Sequence, residues 1–252
     1  MRRYVLELAY VGKGFKGSQI QGELPTIQGE LNKALSILFK KNIESFGASR
    51  TDEGVNAYGN IYHIDVDIDL WPSFKYQMNA LLPSGISLRK IYKANNLEFN
   101  SRFDAIKRSY IYKIYNRKDP FLYERAYYYP YELNMDILKQ SATILKEYTN
   151  FETFSKRNTQ VYTYNCTIFS SKWVEKEDHI QYEVSANRFL RGMVRALVGT
   201  QLKVGRNKMS IEDFRKVIES KNCQLADFSV PGFGLYLENI QYPNGALEEL
   251  EF

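Results

Sequence analysis

The chain has 252 residues, of which 44% are hydrophobic and 25% charged, and 34 Lys and Arg against 29 Asp and Glu leave a net charge of +5. That length suffices for one large domain or two small ones, the composition is that of a folded protein rather than a disordered one, and no apolar run reaches the length of a membrane span. Two distant cysteines without CxxC spacing and only two histidines argue against a zinc cluster, while the mild positive charge permits a polyanionic partner without requiring one.

Met1-Arg2-Arg3 leads straight into alternating Tyr4, Leu6, Leu8 and Tyr10, so the N-terminus reads as a half-buried strand and not as a signal peptide. A cytoplasmic, metal-free protein is expected. The glycine-rich loop Val11 to Gly17 lacks the Lys-Ser/Thr ending of a phosphate-binding loop. Thr26 is positioned to cap a helix with Ile27, Leu31, Ala34, Leu35 and Leu38 on its apolar face. A short strand is expected near Ile43 to Phe46. Tyr62, Ile64, Val66 and Ile68 then alternate with His63, Asp65 and Asp67, which predicts a strand with one wet face. Pro72 suits the first turn of a helix through Phe74, Met78, Leu81 and Leu82, and Ile86 to Ile91 returns as a strand.

The second half repeats this rhythm. A strand from Arg108 to Tyr115 precedes a helix capped by Asn134, with Met135, Leu138, Ala142 and Leu145 inward. Strands are expected near Asn165 to Val174 and His179 to Ala186, then a helix from about Leu190 stopping near Gly205. Ser210-Ile211-Glu212-Asp213 has the form of a capping box ahead of Phe214, Val217 and Ile218. The last strand runs from Gly234 to Tyr242. The order strand, helix, strand, strand, helix, strand predicts an α+β protein: two ferredoxin-like (split βαβ) halves joined into one extended, mostly antiparallel sheet, with helices on one face and a central cleft. The boundary is placed at 1–104 and 105–252.

Twenty tyrosines and fifteen phenylalanines are more than such a core needs. Many lie beside basic residues, as in Lys107-Arg108-Ser109-Tyr110-Ile111-Tyr112-Lys113. Basic groups hold phosphates and aromatic faces stack on bases, but a strand with one buried tyrosine face would look the same. The segment Ser49-Arg50-Thr51-Asp52-Glu53-Gly54-Val55-Asn56-Ala57 sets a carboxylate beside a guanidinium on a tight loop between two strand-like runs. A carboxylate can act as a covalent nucleophile, and a neighbouring Arg favours its ionised form. Two exposed loop charges are the simpler reading of that pair alone.

Arg50-Thr51-Asp52-Glu53-Gly54-Val55 resembles the RTDxGV signature of the TruA family of tRNA pseudouridine synthases. Further blocks are similar in the same order. They are Phe15 to Gln21 with Thr26 to Leu31; Arg102-Phe103-Asp104-Ala105 with Lys107 to Asn116; Asn150 to Phe154 with Asn187 to Arg195 and Val198-Gly199; and Gly234 to Leu237. Together they cover residues 10 to 242, nearly the whole chain. The resemblance implies isomerisation of uridine to pseudouridine, most simply at uridines 38 to 40 of the tRNA anticodon arm, with no cofactor. It implies Asp52 as nucleophile, attacking the ribose or the pyrimidine ring, and Arg50 holding the flipped-out site and contacting phosphate. Tyr110 would stack on the uracil and Leu235 would pack against it. Arg195 would be the second active-site basic residue, with Asp52 its simplest partner, since a buried unpaired Arg is very costly. Lys13, Lys16, Lys107, Arg108, Arg188 and Arg191 are candidate phosphate contacts that would offset the cost of flipping the base. The partners implied are tRNA and a second copy of the chain. Ser49, Asn56, Ser18, Val11 and Ser109 depart from the family's usual Gly, His, Trp, Asp and Arg. Because these departures are expected where RNA is held, another RNA such as ribosomal RNA is the alternative substrate. A non-catalytic RNA-binding protein or chaperone is the alternative of a different class.

Overall fold

In the computed structural model, which describes residues 1–157 and 161–251, the chain forms two compact units. One comprises Met1–Ile106 and the segment from Tyr236 onward; the other is Lys107–Leu235. Both mix helices with mostly antiparallel strands, so the class is α+β.

In the first unit the order is β1 (Arg2–Tyr10), α1 (Ile27–Phe39), β2 (Ser45–Gly47), β3 (Asn56–Val66), α2 (Phe74–Leu81) and β4 (Ile86–Ala94). α1 starts where the sequence predicts. Thr26 accepts a hydrogen bond from the Gly29 amide at 3.2 Å, and Ile27, Leu31, Ala34 and Leu35 are buried. Burial of a side chain such as Leu31 contributes about 1.5–3 kcal/mol. α2 begins two residues after Pro72, with Ser73 as N-cap and no side-chain cap hydrogen bond. β1 lies between β4 and β3, antiparallel to both. β3 pairs antiparallel with β2 through Tyr62, His63 and Ile64, and parallel with β9 (Leu235–Gln241) through Asn56 and Ala57. A short β10 (Leu247–Leu250), not anticipated from the sequence, covers the outer edge of β4.

β3 departs from the alternation read in its sequence. Its supposedly wet face is covered: His63 is 3% exposed and Ser101 fully buried, whereas Ile68 lies beyond the strand end and is 53% exposed. The Ser101 amide donates to His63 Nδ1 (3.3 Å), and the Ser101 hydroxyl, 2.9 Å from that nitrogen, donates to the Phe46 carbonyl (2.7 Å). Phe46 stacks on the imidazole with centroids 5.0 Å apart. Nearby, Arg3 binds both carboxylate oxygens of Asp65 at 2.7 and 2.6 Å. Burial, then the charge of Arg3, pushes the His63 pKa down to about 4, against smaller upward pulls from Asp65 and Asp104.

The folded state therefore holds His63 neutral where the unfolded chain, with its ordinary value near 6.5, takes up a proton. The stabilisation is complete above about pH 6.5 and is lost as pH falls towards 4. By pH 5 the loss should reach about 1–2 kcal/mol, the lower end allowing for solvent screening. Denaturant melts between pH 7.5 and 5 should show it, and His63→Gln should flatten that slope. Equal slopes in both proteins would refute this account.

The second unit contains β5 (Lys107–Tyr115), β6 (Tyr127–Tyr128), α3 (Met135–Ile144), β7 (Ile168–Glu175), β8 (Ile180–Ala186), α4 (Met193–Gly205) and α5 (Ile211–Glu219). β8 lies between β5 and β7, antiparallel to each, and β6 runs parallel to the end of β5. Asn134 caps α3 through the Asp136 and Ile137 amides (both 3.1 Å), and Ser210 caps α5 through Asp213 (3.0 Å). The β5 tyrosines are buried, with Tyr110 and Tyr115 8% and 6% exposed; Tyr112 is fully buried, its hydroxyl donating to the Pro231 carbonyl at 2.8 Å. α4 is buried on nearly every side. A Cβ at Gly199 would come within 2.3 Å of the Asp227 carbonyl oxygen, so only glycine lets that segment cross the helix.

Candidate active site

Asp52 lies on the turn between β2 and β3. The Val55 amide donates to the Asp52 carbonyl at 3.2 Å, and Gly54 has φ +75°, the positive value that the third residue of a type II turn needs. Buried hydrogen bonds hold this turn from below. The Ser18 hydroxyl accepts from the Thr51 amide (2.8 Å) and donates to the Ser49 carbonyl (3.2 Å), while the Ser18 amide donates to the Thr51 carbonyl (3.0 Å). The Thr51 and Tyr10 hydroxyls meet at 2.9 Å. The Asn60 amide lies 3.0 Å from the Ser49 carbonyl and 3.1 Å from the Tyr10 hydroxyl. The glycine-rich loop supplies the other wall: the Gly12 amide donates to Asn56 Oδ1 at 2.9 Å, and Gly17 at φ +104° lies against Thr51.

These bonds leave Asp52 half-buried and Arg50 exposed. The buried partners fix the backbone of the turn that carries Asp52. Lys16 pairs with Glu53 at 2.6 Å, with both side chains largely in water. Such a pair contributes little to stability.

Within the second unit, Tyr110 meets Phe189 edge to face, with centroids 5.1 Å apart, and sits opposite Val184 of β8. Arg195 lies in the first turn of α4, half-buried. Its Nε donates to the Val230 carbonyl at 2.8 Å and its Nη2 reaches the Phe228 carbonyl at 3.3 Å. The segment that crosses Gly199 thereby orients Arg195. Arg108 donates to the Asn187 carbonyl at 3.1 Å. Lys107 and Arg188 are half-buried, and Arg191 is exposed. Leu235 is buried and opens β9; the next residue, Tyr236, pairs with Asn56.

Three relatives cover almost the full chain. A tRNA pseudouridine synthase A from Parabacteroides distasonis is 40% identical over 245 residues, spanning 96% of this chain and 97% of its own. One from Bacteroides fragilis is 39% identical over 254 residues, spanning 98% and 99%. One from Bacillus subtilis is 35% identical over 245 residues, spanning 94% and 98%. A family model described as tRNA pseudouridine synthase matches residues 148–243. The chain belongs to the tRNA pseudouridine synthase A family.

Two of the positions that depart from the family's usual residues, Ser18 and Asn56, bond through their side chains to the Asp52 turn and the loop beside it. Ser18, Ser49 and Asn56 are 2%, 7% and 3% exposed. Ser18, Asn56 and the backbone carbonyl of Ser49 hold the Asp52 turn, and Ser18 and Ser49 also line a cleft beside Arg50. Asn60 and Tyr10 belong to the same hydrogen-bond network, which the sequence motifs do not include. The signal in the sequence is an amide at position 60 in the middle of a long strand, where burial demands hydrogen-bond partners. Among the described residues there is no group of three or more His, Cys, Asp or Glu that could hold a metal ion. Nor is any described helix long and apolar enough to cross a membrane.

Proposed function

We propose that this chain converts uridine to pseudouridine in tRNA, at positions 38 to 40 of the anticodon arm. The observation that carries the reading is full-length similarity to tRNA pseudouridine synthases A, together with an Asp52 turn braced by buried hydrogen bonds. The reaction breaks the bond between ribose C1′ and N1, turns the base, and forms a bond between C1′ and C5. C5 loses a proton and N1 gains one. Atoms and electrons balance within the nucleotide, so no oxidant or external energy source enters.

Asp52 acts as the nucleophile, on the ribose or on the ring, and Arg195 is the second basic residue of the reaction. Tyr110 stacks on the uracil, and its hydroxyl helps to move the C5 proton. Leu235 packs against the base; the pairing of its neighbour Tyr236 with Asn56, four residues past Asp52, supports this assignment. Arg50 holds the flipped-out site open. Lys16, Lys107, Arg108, Arg188 and Arg191 bind phosphates, which offsets the few kcal/mol of unstacking. Asp52 belongs to the first unit, and Tyr110 and Arg195 to the second. The reading extends to a cytoplasmic homodimer, on the family resemblance.

Pseudouridine mapping of tRNA and ribosomal RNA from cells lacking the gene tests the target. The expected result is loss at tRNA positions 38 to 40 and restoration by the wild-type gene. Loss confined to ribosomal RNA would overturn the tRNA assignment.

A further inference from the structure

The first unit contains a cleft of about 230 Å³ that does not include Asp52. Arg50, Arg102, Phe46, Phe103, Gln19 and Gln28 line it. The Phe103 ring is 79% exposed and Phe46 50% exposed, and the Arg102 guanidinium stands 5.8 Å from the Phe103 centroid. Two aromatic faces left in water beside two guanidinium groups are poorly explained by core packing, because such rings are normally buried.

The walls are fixed in advance. Asn100 Oδ1 accepts from the Arg102 and Phe103 amides (2.9 and 3.2 Å), and the Asn100 amide donates to Asp104 (2.8 Å), locking the turn that presents Phe103. Ser101, in the same turn, is tied to His63 and to the Phe46 carbonyl, so one buried residue sets both rings. Gln28 is held by the Ser45 carbonyl and the Ile20 amide. The cleft also shares Ser18 with the bracing of the Asp52 turn.

We propose that this cleft is a second nucleotide subsite, which takes one unpaired nucleotide next to the target uridine. Its base lies against Phe103 and Phe46, and its phosphate against Arg50 and Arg102. The proposal rests on the tRNA reading above and deepens it. The volume fits a single base rather than a drug-sized ligand. Aromatic faces bind any base by stacking, and Arg adds charge for the phosphate. The target uridine itself must meet Asp52, which does not line the cleft, so the occupant is a neighbour. Filling this subsite would hold the strand on one side of the flipped base and keep the target from returning to its stack.

The test uses the full-length protein and an unmodified tRNA transcript with a substrate uridine. Phe103 is exposed, so its replacement leaves the fold intact. Phe103→Ala should raise KM for tRNA about tenfold with kcat within about twofold of wild type, as expected from losing one base stack. Phe103→Tyr should restore KM and Phe103→Leu should not. A photoreactive uridine placed beside the target should crosslink to the segment containing Phe103 in the wild-type protein. An unchanged KM in Phe103→Ala, a fall in kcat alone, or equal rescue by Leu and Tyr would overturn the subsite while wild-type turnover left the tRNA reading standing. A wild-type protein that forms no pseudouridine would overturn both.

Discussion

Asp52→Asn should abolish pseudouridine formation while tRNA binding stays within about twofold of wild type. The substitution keeps shape and removes charge, so the neutral amide cannot attack carbon as a carboxylate does. The turn should survive, because its bracing comes from the Val55 amide on the Asp52 backbone carbonyl and from Ser18, Tyr10 and Asn60 on residues 49 and 51. Losing a covalent nucleophile typically costs at least about 10³-fold in turnover. Single-turnover assays with saturating enzyme separate this from binding, and a salt-dependent affinity measured in parallel reports the phosphate contacts. Turnover by Asp52→Asn at even a tenth of the wild-type rate would remove Asp52 from the reaction. Loss of tRNA binding along with turnover would point to a structural role instead.

The second large effect is expected at Gly12, which touches no substrate in this account. A Cβ there would lie 2.3 Å from the Val55 carbonyl oxygen and 2.6 Å from the Gly54 carbonyl carbon, both backbone atoms. Neither can turn aside as a flexible side chain would, so Gly12→Ala must push the Gly54-Val55 end of the turn away. The turn is closed by the bond from Val55 to Asp52, and the displacement therefore reaches the carboxylate. A misplacement of about 1 Å in a reacting group lowers turnover by about 10²-fold. The overlap itself should destabilise the protein by about 1–3 kcal/mol, a fall in melting temperature of about 2–12 °C for a chain of this size. The expected pattern is a fall in kcat with KM for tRNA near wild type and the fold intact by circular dichroism. Wild-type kcat in Gly12→Ala would show that the loop approach does not position Asp52.

The elements were legible because short-range rules decide them. Thr26, Asn134 and Ser210 cap helices where their sequence positions predict, since a cap depends only on the three or four residues that follow. The failures have a common cause. His63 reads as solvent-facing by alternation, yet Ser101 and Phe46, distant in the chain, cover it. The β5 tyrosines read equally well as base-stacking or core, and burial of Tyr112 beneath Pro231 makes that residue core. Position in a motif does not reveal which way a side chain faces: Ser18 and Asn56 are both nearly fully buried, Asn56 bonded to the Gly12 amide, while Ser18 bonds to the Asp52 turn and also lines the cleft.

By itself the sequence determined the α+β class, the succession of strands and helices in each half and, through the ordered motif blocks, the family and the segment that carries Asp52. These depend on local periodicity, capping chemistry and residue order. Only the tertiary structure decided what holds the Asp52 turn, which polar residues are buried, that β9 returns to pair with β3, and that Phe46 and Phe103 frame one cleft. Each of those facts joins residues tens to nearly two hundred positions apart, and no short-range rule in the chain encodes which distant backbone will supply the missing hydrogen bond or the covering ring.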